Sequence, residues 1–296
     1  MTRSREETNW KALRLAALAF VFMFARPGQG QEFRALWVDA FHAGFRSSNE
    51  VTQLLADARA ANFNAVVVEV RKRGDAYYSS NYEPKATDVS PQSYDPLADL
   101  VARAHDTNAG PRIEVHAWIV TYPIWNNSNS NAAPANHPVR LHPDWLSQTD
   151  AGVIWSGDNY IFDPGHPGVQ QHTFNVAMDI VTRYDVDGLN FDYVRYFGNN
   201  WGYNPVAVAR FNAKFNRTGT PLKTDESWLQ WRRDQITSLV RKVYLSAMAV
   251  KPQVKISADT ICFAPGVTTD AGWTNSANAV SGFCCRLLQS LCWHLS

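Results

Sequence analysis

Residues 184–196 read Tyr184-Asp185-Val186-Asp187-Gly188-Leu189-Asn190-Phe191-Asp192-Tyr193-Val194-Arg195-Tyr196. This pattern predicts the end of a helix, a tight turn at Asp187-Gly188, a short buried strand and then a polar segment. In parallel α/β folds, ligands bind at the carboxyl ends of the strands. A buried strand that ends in a carboxylate, followed closely by an arginine and two tyrosines, therefore indicates a functional site, with Asp192 at the strand end.

Strand and helix signals alternate on both sides of this segment. Apolar or β-branched runs predict strands at residues 34–39, 64–71, 112–120, 188–192 and 253–259. Capping residues, first-turn prolines and helical spacing predict helices after Ser47 and from Pro96, Pro167, Pro205 and Ser227. Repeated strand–helix–strand units imply a parallel α/β sheet. Because only about five units are present, the predicted fold is an incomplete (β/α)8 TIM-type barrel.

The connection between the third and fourth strands, residues 121–165, is unusually long and is rich in Asn, Ser, Pro and Trp. Loops of this length in compact domains are usually functional or disordered. Residues 126–134 form its low-complexity part. Its aromatic residues instead predict an ordered cleft wall: Trp125, Trp145, Trp155, Tyr160 and Phe162.

One face of each predicted strand is polar, and its polarity increases toward the carboxyl end. Side chains alternate along a strand, so the opposite, aliphatic faces would meet the helices. Burying many ionisable groups without a function is costly, so the polar faces predict one shared, hydrated pocket. The ionisable residues predicted to point inward are Asp39, Glu69, Arg71, Glu114, His116, Asp192 and Asp259.

Each candidate also has a structural interpretation. Asp192 could cap the following loop, Glu69 and Arg71 could form an ion pair inside the barrel, and His116 could be a hydrogen-bonded core histidine. The remaining candidates could be core aromatic residues or could shape loops and turns: Trp37, Trp118, Asp39, Asp75 and Asp187.

Composition excludes few functions. The chain has 296 residues, of which 45% are hydrophobic and 19% charged, and its formal net charge of +1 gives no support for nucleic-acid binding. Its 11 tryptophans fit a sugar-binding cleft and an aromatic core equally well. The cysteines Cys262, Cys284, Cys285 and Cys292 have neither zinc spacing nor the pattern of a disulfide framework.

The N-terminal residues 1–30 have the pattern of a signal peptide. Basic residues precede a short apolar run at 13–24, and Gly28-Gln29-Gly30 supplies small residues for cleavage. The run is short for a transmembrane helix, so we expect cleavage and no stable membrane span afterwards. The predicted location is secreted, periplasmic or at the cell envelope.

Several motifs together resemble a known family. Phe33-Arg34-Ala35-Leu36-Trp37-Val38, Val70-Arg71 with Gly74-Asp75-Ala76-Tyr77-Tyr78, Glu114-Val115-His116-Ala117-Trp118, Phe162-Asp163-Pro164-Gly165 and residues 184–196 are similar to glycosyl-hydrolase-like family ten, in the same order. The resemblance implies a TIM-type barrel and an exported bacterial glycoside hydrolase. We expect no cofactor. It also implies a polysaccharide substrate such as peptidoglycan-type cell-wall glycan.

The resemblance also implies roles for particular residues. The family's catalytic aspartate at the end of strand four corresponds to Asp192. The Arg and Asp of the second-strand motif correspond to Arg71 and Asp75, and the third-strand Glu and His to Glu114 and His116.

The chain departs from the family pattern in two places within the motifs and again at its end. Tyr193 stands where the family has a second acid, and Asn190 where a His is common. After about Thr274 the resemblance stops, and residues 275–296 read as a shifted frame or a truncated gene. We therefore expect residues 31–274 to form a partial barrel whose exposed sheet edge promotes aggregation.

Glycoside hydrolysis normally needs two carboxyl groups across the scissile bond. Asp192 is the first; Asp259, Glu114 or an acid in a missing segment is the second. Arg71 is expected to keep Asp192 ionised. The predicted substrate-binding residues are Asp39, Arg71, Asp75, His116, Trp118, Trp125, Asn190 and Arg195.

Two alternatives remain open. The first is a glycan-binding module without catalysis, or a decayed enzyme. The second is a metal-dependent polysaccharide deacetylase, which needs an Asp/His/His-type cluster; only His116 is predicted to point inward, and we expect no metal. The oligomeric state is not predicted.

Overall fold

The computed structural model describes residues 32–260 and contains seven strands and six α-helices in that range. The strands are β1 (Ala35–Val38), β2 (Ala65–Arg71), β3 (Glu114–Val120), β4 (Pro123–Trp125), β5 (Tyr160–Ile161), β6 (Gly188–Asp192) and β7 (Lys255–Ala258). The helices are α1 (Ser48–Ala60), α2 (Pro96–His105), α3 (Pro138–Leu141), α4 (Pro167–Arg183), α5 (Pro205–Phe215) and α6 (Glu226–Val250).

Five of the strands form one parallel sheet in the order β1-β2-β3-β6-β7. The predicted α/β class with a parallel sheet is therefore confirmed, and the five predicted strands and the helices between them are present. Within residues 32–260 the sheet has two edge strands, β1 and β7, so closure into a barrel and aggregation through an edge stay predictions.

Several sequence predictions fall outside the described range. The signal peptide, the cysteines and the tail at 275–296 are among them. No helix between residues 32 and 260 is both long and apolar enough to cross a membrane.

The helices begin where capping side chains predict. Ser47 accepts a hydrogen bond from the Glu50 N–H before α1, and Asp95 accepts one from the Ala98 N–H before α2. Asp225 caps α6, which starts one residue before its predicted position. These bonds satisfy backbone donors that a helix leaves unpaired in its first turn.

The outward face of the sheet forms the apolar core beneath the helices. Val66 and Val68 of β2, Val115 of β3 and Leu189 of β6 are fully buried there. Because neighbouring residues on a strand point to opposite faces, the inward face carries the residues in between, including Trp118 and Asn190, which are register partners.

A β-bulge interrupts this alternation in β2. Glu69 is paired with Trp118, but Arg71 is paired with Ile119, so one extra residue lies between them. Strict alternation predicts Arg71 on the same face as Glu69. The bulge instead places Arg71 beside Ile119, on the face that meets the helices.

The long connection after β3 is ordered. β4 and β5 pair antiparallel within it, and Trp145 stacks on His142 with ring centroids 3.6 Å apart. Trp145 also meets Phe162 edge-on at 5.5 Å. The structure therefore agrees with the predicted ordered aromatic wall and not with a disordered loop. Several rings of this wall pack against one another.

Candidate active site

A cleft of about 220 Å³ lies at the carboxyl ends of β2, β3 and β6. Strand ends and the loops that follow them both contribute to it. The lining residues are Phe41, Glu69, Lys72, Arg73, Trp118, Val120, Pro123, Asn159, Asp192 and Tyr193. The cleft thus combines two carboxyl groups, two cationic side chains and aromatic rings in one space.

Asp192 is the last residue of β6, at the edge of the sheet where the sequence predicts it. Its Oδ1 accepts a hydrogen bond from the Tyr193 N–H at 2.7 Å, and its Oδ2 accepts one from Trp118 Nε1 at 3.2 Å. Burial raises the pKa of Asp192, while these two bonds and the nearby Arg195 charge partly oppose the rise. The carboxylate is therefore held in a fixed orientation in a poorly hydrated position.

Tyr193 has a φ of +49°, which side-chain-bearing residues rarely adopt. This conformation occurs directly after the Asp192 carboxylate, and the Tyr193 N–H is the group that bonds Asp192. Backbone strain of this kind persists only where surrounding structure enforces it, and it is frequent at functional sites.

Asp259 provides a second carboxyl group beside Asp192. It follows β7, and its N–H donates to the Phe191 carbonyl at 2.8 Å. Its Oδ2 accepts from Asn190 Nδ2 at 3.2 Å, while Asn190 Oδ1 accepts from Ser257 at 2.7 Å. Burial raises the pKa of Asp259, and the negative charge of Asp192 raises it further.

Glu69 is a further carboxyl group in the cleft, and the sequence did not single it out as a site residue. Only 1% of it is exposed, and its Oε2 accepts a hydrogen bond from the Ala40 N–H at 2.8 Å. Burial raises the pKa of Glu69 to about 7, and only part of the effect is offset by Ala40 and by the Lys72 charge. Its inward parity was visible in the sequence, but a pair with Arg71 was the competing interpretation.

Arg71 is instead paired with Glu83, away from Asp192. Arg71 Nε and Nη2 each lie 2.8 Å from a Glu83 oxygen, and His172 Nε2 lies 2.9 Å from Glu83 Oε1. Arg71 Nη1 bonds the Val120 and Thr121 carbonyls. The predicted effect of Arg71 on the ionisation of Asp192 is therefore not seen, and Arg195 is the cation that acts on this carboxylate.

Glu114 and His116 lie at the other end of the sheet. Glu114 is the first residue of β3, whereas Val120 at its carboxyl end is the register partner of Asp192. Six residues at about 3.3 Å each separate Glu114 from that level by about 20 Å. Glu114 instead bonds Lys255 at 2.6 Å and His116 at 3.0 Å.

His116 has the surroundings of a core histidine. It is 5% exposed, and a Cβ atom added at Gly188 would lie 2.1 Å from its Nδ1. The glycine of the Asp187-Gly188 turn therefore makes room for the imidazole ring. The structure does not bring Glu114 or His116 to the cleft.

Three other predicted residues also lie outside the cleft. Asp39 accepts hydrogen bonds from the Phe41 and His42 N–H groups and lines a separate groove between β1 and α1. Asp75 accepts a hydrogen bond from the Arg73 N–H at 2.8 Å. Trp125 packs against His137 with ring centroids 5.0 Å apart. Their contacts are those of loop caps and packing residues.

Two arginines stack on aromatic rings that line the cleft. Arg73 lies 5.0 Å from the Phe41 ring centroid, and Arg195 lies 4.3 Å from that of Tyr193. Among residues 32–260, neither guanidinium has a carboxylate partner. Arg195 was predicted; Phe41 and Arg73 were missed because both follow strands on loops whose positions depend on tertiary packing.

With this geometry in place, comparison with known proteins identifies the family. Residues 32–271 match the family model described as glycosyl hydrolase-like 10. The chain belongs to the glycosyl hydrolase-like 10 family. The match covers most of the chain, and it agrees with the family resemblance of the sequence motifs.

Curated relatives of this glycosyl hydrolase-like chain are longer proteins. Glycosyl hydrolase YngK of Bacillus subtilis is 29% identical over 241 residues, which are 79% of this chain and 42% of that protein. Glycosyl hydrolase DigH of Escherichia coli K12 is 26% identical over 229 residues, or 73% of this chain and 46% of that protein. The chain thus spans less than half the length of these relatives.

Solved structures show a similar fold. Alpha-L-fucosidase isoenzyme 2 from Paenibacillus thiaminolyticus superposes with a TM-score of 0.58 at 14% identity, covering 78% of this chain and 33% of that chain. The PgaB (BpsB) glycoside hydrolase domain from Bordetella bronchiseptica gives 0.53 at 14% identity, covering 77% of this chain and 65% of that chain. At such low identity the likeness is one of fold.

The residues 32–260 of this glycosyl hydrolase-like chain contain no group of three or more His, Cys, Asp or Glu side chains that could hold a metal ion. The lining of the described cleft supplies carboxyl groups, hydrogen-bond donors, cations and aromatic faces.

Proposed function

We propose that the chain is a glycoside hydrolase that cleaves a polysaccharide, with Asp192 as a catalytic carboxylate. One observation carries this proposal: Asp192 ends β6 inside a cleft and is oriented there by Trp118 and the strained Tyr193 backbone. Membership of the glycosyl hydrolase-like 10 family, and a fold similar to that of a known glycosidase, support glycoside hydrolysis as the general type of reaction.

The chemical role of Asp192 follows from its surroundings. As a carboxylate it attacks the anomeric carbon, or removes a proton from the attacking water. Arg195 favours the ionised form that either role requires. The indole of Trp118 lines the same cleft and offers a flat apolar surface for a sugar ring.

The presence of additional carboxyl groups favours an enzyme over a glycan-binding module. Asp259 directly follows the adjacent strand β7, close enough for the Asp192 charge to raise its pKa. Glu69 lines the same cleft as Asp192. A binding module has no need for several poorly hydrated carboxyl groups at one site, because each costs free energy of folding.

The finer parts of the proposal concern fold, substrate and location. We propose that the five-stranded sheet belongs to a TIM-type barrel, in which sites form at the carboxyl ends of strands. The proposed substrate is a bacterial cell-wall glycan, and the proposed location is the cell envelope or the exterior. The motif resemblance supports the substrate, and the N-terminal sequence pattern supports export.

The test is hydrolysis by the 296-residue chain and by Asp192→Asn. New reducing ends are measured with purified cell-wall glycan strands and with a panel of other polysaccharides. Wild type should release them, and Asp192→Asn should lose activity by at least about 10³-fold, because Asn neither attacks nor accepts a proton.

The matched control is Asp106→Asn, an exposed cap near the amino end of the sheet, which should keep wild-type rates. Equal turnover by wild type and Asp192→Asn would remove the proposed role. No turnover of any glycan by wild type, with binding retained, would favour the binding module.

A further inference from the structure

The fifth residue of β2, Glu69, lies two strands away from Asp192 in the same sheet. Glu69 is paired with Trp118, and Trp118 is paired with Asn190, two residues before Asp192. Two strand spacings of about 4.8 Å therefore separate the backbones of β2 and β6, with β3 between them. Both carboxyl groups line the same cleft. They stand on the two strands that flank β3, with Trp118 of β3 between them.

Asp259 has a different relation to Asp192. It follows the strand adjacent to β6, bonds Asn190, and does not line the cleft. A glycosidase needs two carboxyl groups that both reach the scissile bond, with room for the sugar between them. Glu69 and Asp192 both line the cleft and are separated by the width of β3, so they meet this requirement better than Asp192 and Asp259 do.

Within residues 32–260 the buried Glu69 carboxyl group forms no salt bridge. Its Oε2 accepts one hydrogen bond, from Ala40, and its Oε1 accepts none from residues 32–260. Lys72 acts on it electrostatically, but Lys72 is held by Tyr77 and the Ala40 carbonyl and lies 3.6 Å from Asp88. The β2 bulge turns Arg71 away to Glu83.

Glu83 is a second buried carboxyl group, and its surroundings differ from those of Glu69. It is also buried, but it has Arg71 and His172 as partners, which keep it ionised. The charged groups that act on Glu69 include the acids Asp39 and Asp75, which oppose its ionisation as burial does. With its pKa raised to about 7, the Glu69 carboxyl group is partly protonated at neutral pH and can donate that proton.

We propose that Glu69 is the general acid of the hydrolysis, a role that rests on the proposed function of Asp192. The bond between the anomeric carbon and the glycosidic oxygen breaks, its electron pair goes to that oxygen, and the Glu69 proton converts the oxygen to a hydroxyl. The anomeric carbon gains an oxygen from Asp192 or from water. If Asp192 attacks, Glu69 then accepts the proton of the water that releases the sugar.

The test compares substrates that differ only in the leaving group. One is an oligosaccharide fragment of the cell-wall glycan proposed as the substrate, and the other is the same fragment as its 2,4-dinitrophenyl glycoside, whose leaving group needs no proton. Glu69→Gln retains the oxygen that accepts from the Ala40 N–H. It should lose about 10²–10⁴-fold in kcat on the glycan. On the dinitrophenyl glycoside it should lose less than about tenfold.

Asp259→Asn is the matched control. If Asp259 were the acid, Asp259→Asn would show the leaving-group pattern and Glu69→Gln would not, which overturns the proposal. Equal losses by Glu69→Gln on both substrates would also overturn it, because they indicate a structural role. Wild type inactive on both substrates would instead overturn the proposed function itself.

A measurement on wild type keeps the inference testable if Glu69→Gln does not fold. Because the pKa of Glu69 is raised to about 7, kcat/KM on the glycan should fall as pH rises through that region. The rate on the dinitrophenyl glycoside should show no such fall. If kcat/KM fell equally with rising pH for both substrates, the proton donor would not be Glu69.

Discussion

The hydrogen bond from Trp118 Nε1 to Asp192 Oδ2 links an aromatic residue of one strand to the carboxylate of the next. The donor stabilises the ionised carboxylate, so it holds the pKa of Asp192 below the value that burial alone would give. Trp118 also meets Trp37 edge-on, with ring centroids 5.2 Å apart. One indole thus serves packing and the electrostatics of the site together.

Trp118→Phe should raise the pKa of Asp192 by about 1 unit, because a hydrogen bond to a charged group contributes about 1.5 kcal/mol. Carboxyl ¹³C shifts followed against pH measure this without a substrate. Trp37→Phe is the control: it removes an indole of the same packing pair that does not bond the carboxylate. If both variants leave the Asp192 titration unchanged, the bond contributes nothing.

Asp192 was predictable because it lies within one local sequence signal, a buried strand followed directly by a polar segment. Glu69 was predicted to point inward but not to be a site residue, because an ion pair with Arg71 was the competing interpretation. The position of Arg71 was not predictable, because its face depends on a bulge in β2 that has no signal in the sequence. Arg73 and Asn159 were missed for a related reason. They lie on loops, and only the packing of distant segments brings them to the cleft.

The order of strands and helices was predictable because each element carries its own local signals. Valine runs mark β2, and cap residues with first-turn prolines mark α2, α4 and α5. The short strands β4 and β5 have no such signals and exist through their mutual pairing. The sequence therefore predicted a long connection there, but not its internal structure.

The cap of α2 also connects distant parts of the chain. Asp95 Oδ1 accepts from the Ala98 N–H at 3.0 Å, while Oδ2 accepts from the Ser79 N–H at 3.0 Å and the Tyr184 hydroxyl at 2.7 Å. Tyr184 follows α4, so one carboxylate connects the start of α2 to the end of α4.

Asp95→Ala should lower the free energy of unfolding by about 2 kcal/mol, because a helix loses its cap and two further donors lose their acceptor. Asp95→Asn should lose about half as much, since its oxygen still caps Ala98 while the second acceptor is gone. Urea unfolding at pH 7 measures both. A loss by Asp95→Ala below about 0.5 kcal/mol would show that water replaces these bonds.

The Arg71–Glu83 pair joins the first part of the sheet to the later helices. Arg71 ends β2 and bonds the carbonyls of Val120, the last residue of β3, and Thr121, while Glu83 bonds His172 of α4. Both members of the pair are buried, with side-chain exposures of 3% and 0%. Breaking such a pair leaves an uncompensated buried charge, which costs about 3–5 kcal/mol.

Stability should therefore depend on the protonation of Glu83. Burial alone would raise the pKa of Glu83, but attraction to Arg71 and the His172 hydrogen bond outweigh it and hold the pKa far below its ordinary value. A carboxyl group with a lowered pKa contributes stability above its unfolded pKa of about 4.3 and loses it as pH falls further. Wild-type unfolding free energy should thus decrease steadily below that pH.

Glu83→Gln should unfold more easily by about 3–5 kcal/mol at pH 7 and should show a shallower decrease below about pH 4.3. Thermal and urea unfolding between pH 3 and pH 7 measure both effects. The double variant Arg71→Met with Glu83→Gln is the control, because it removes the stranded charge and should recover part of the loss. A double variant less stable than Glu83→Gln would mean that the bonds from Arg71 to the Val120 and Thr121 carbonyls, rather than its pairing with Glu83, hold β2, β3 and α4 together.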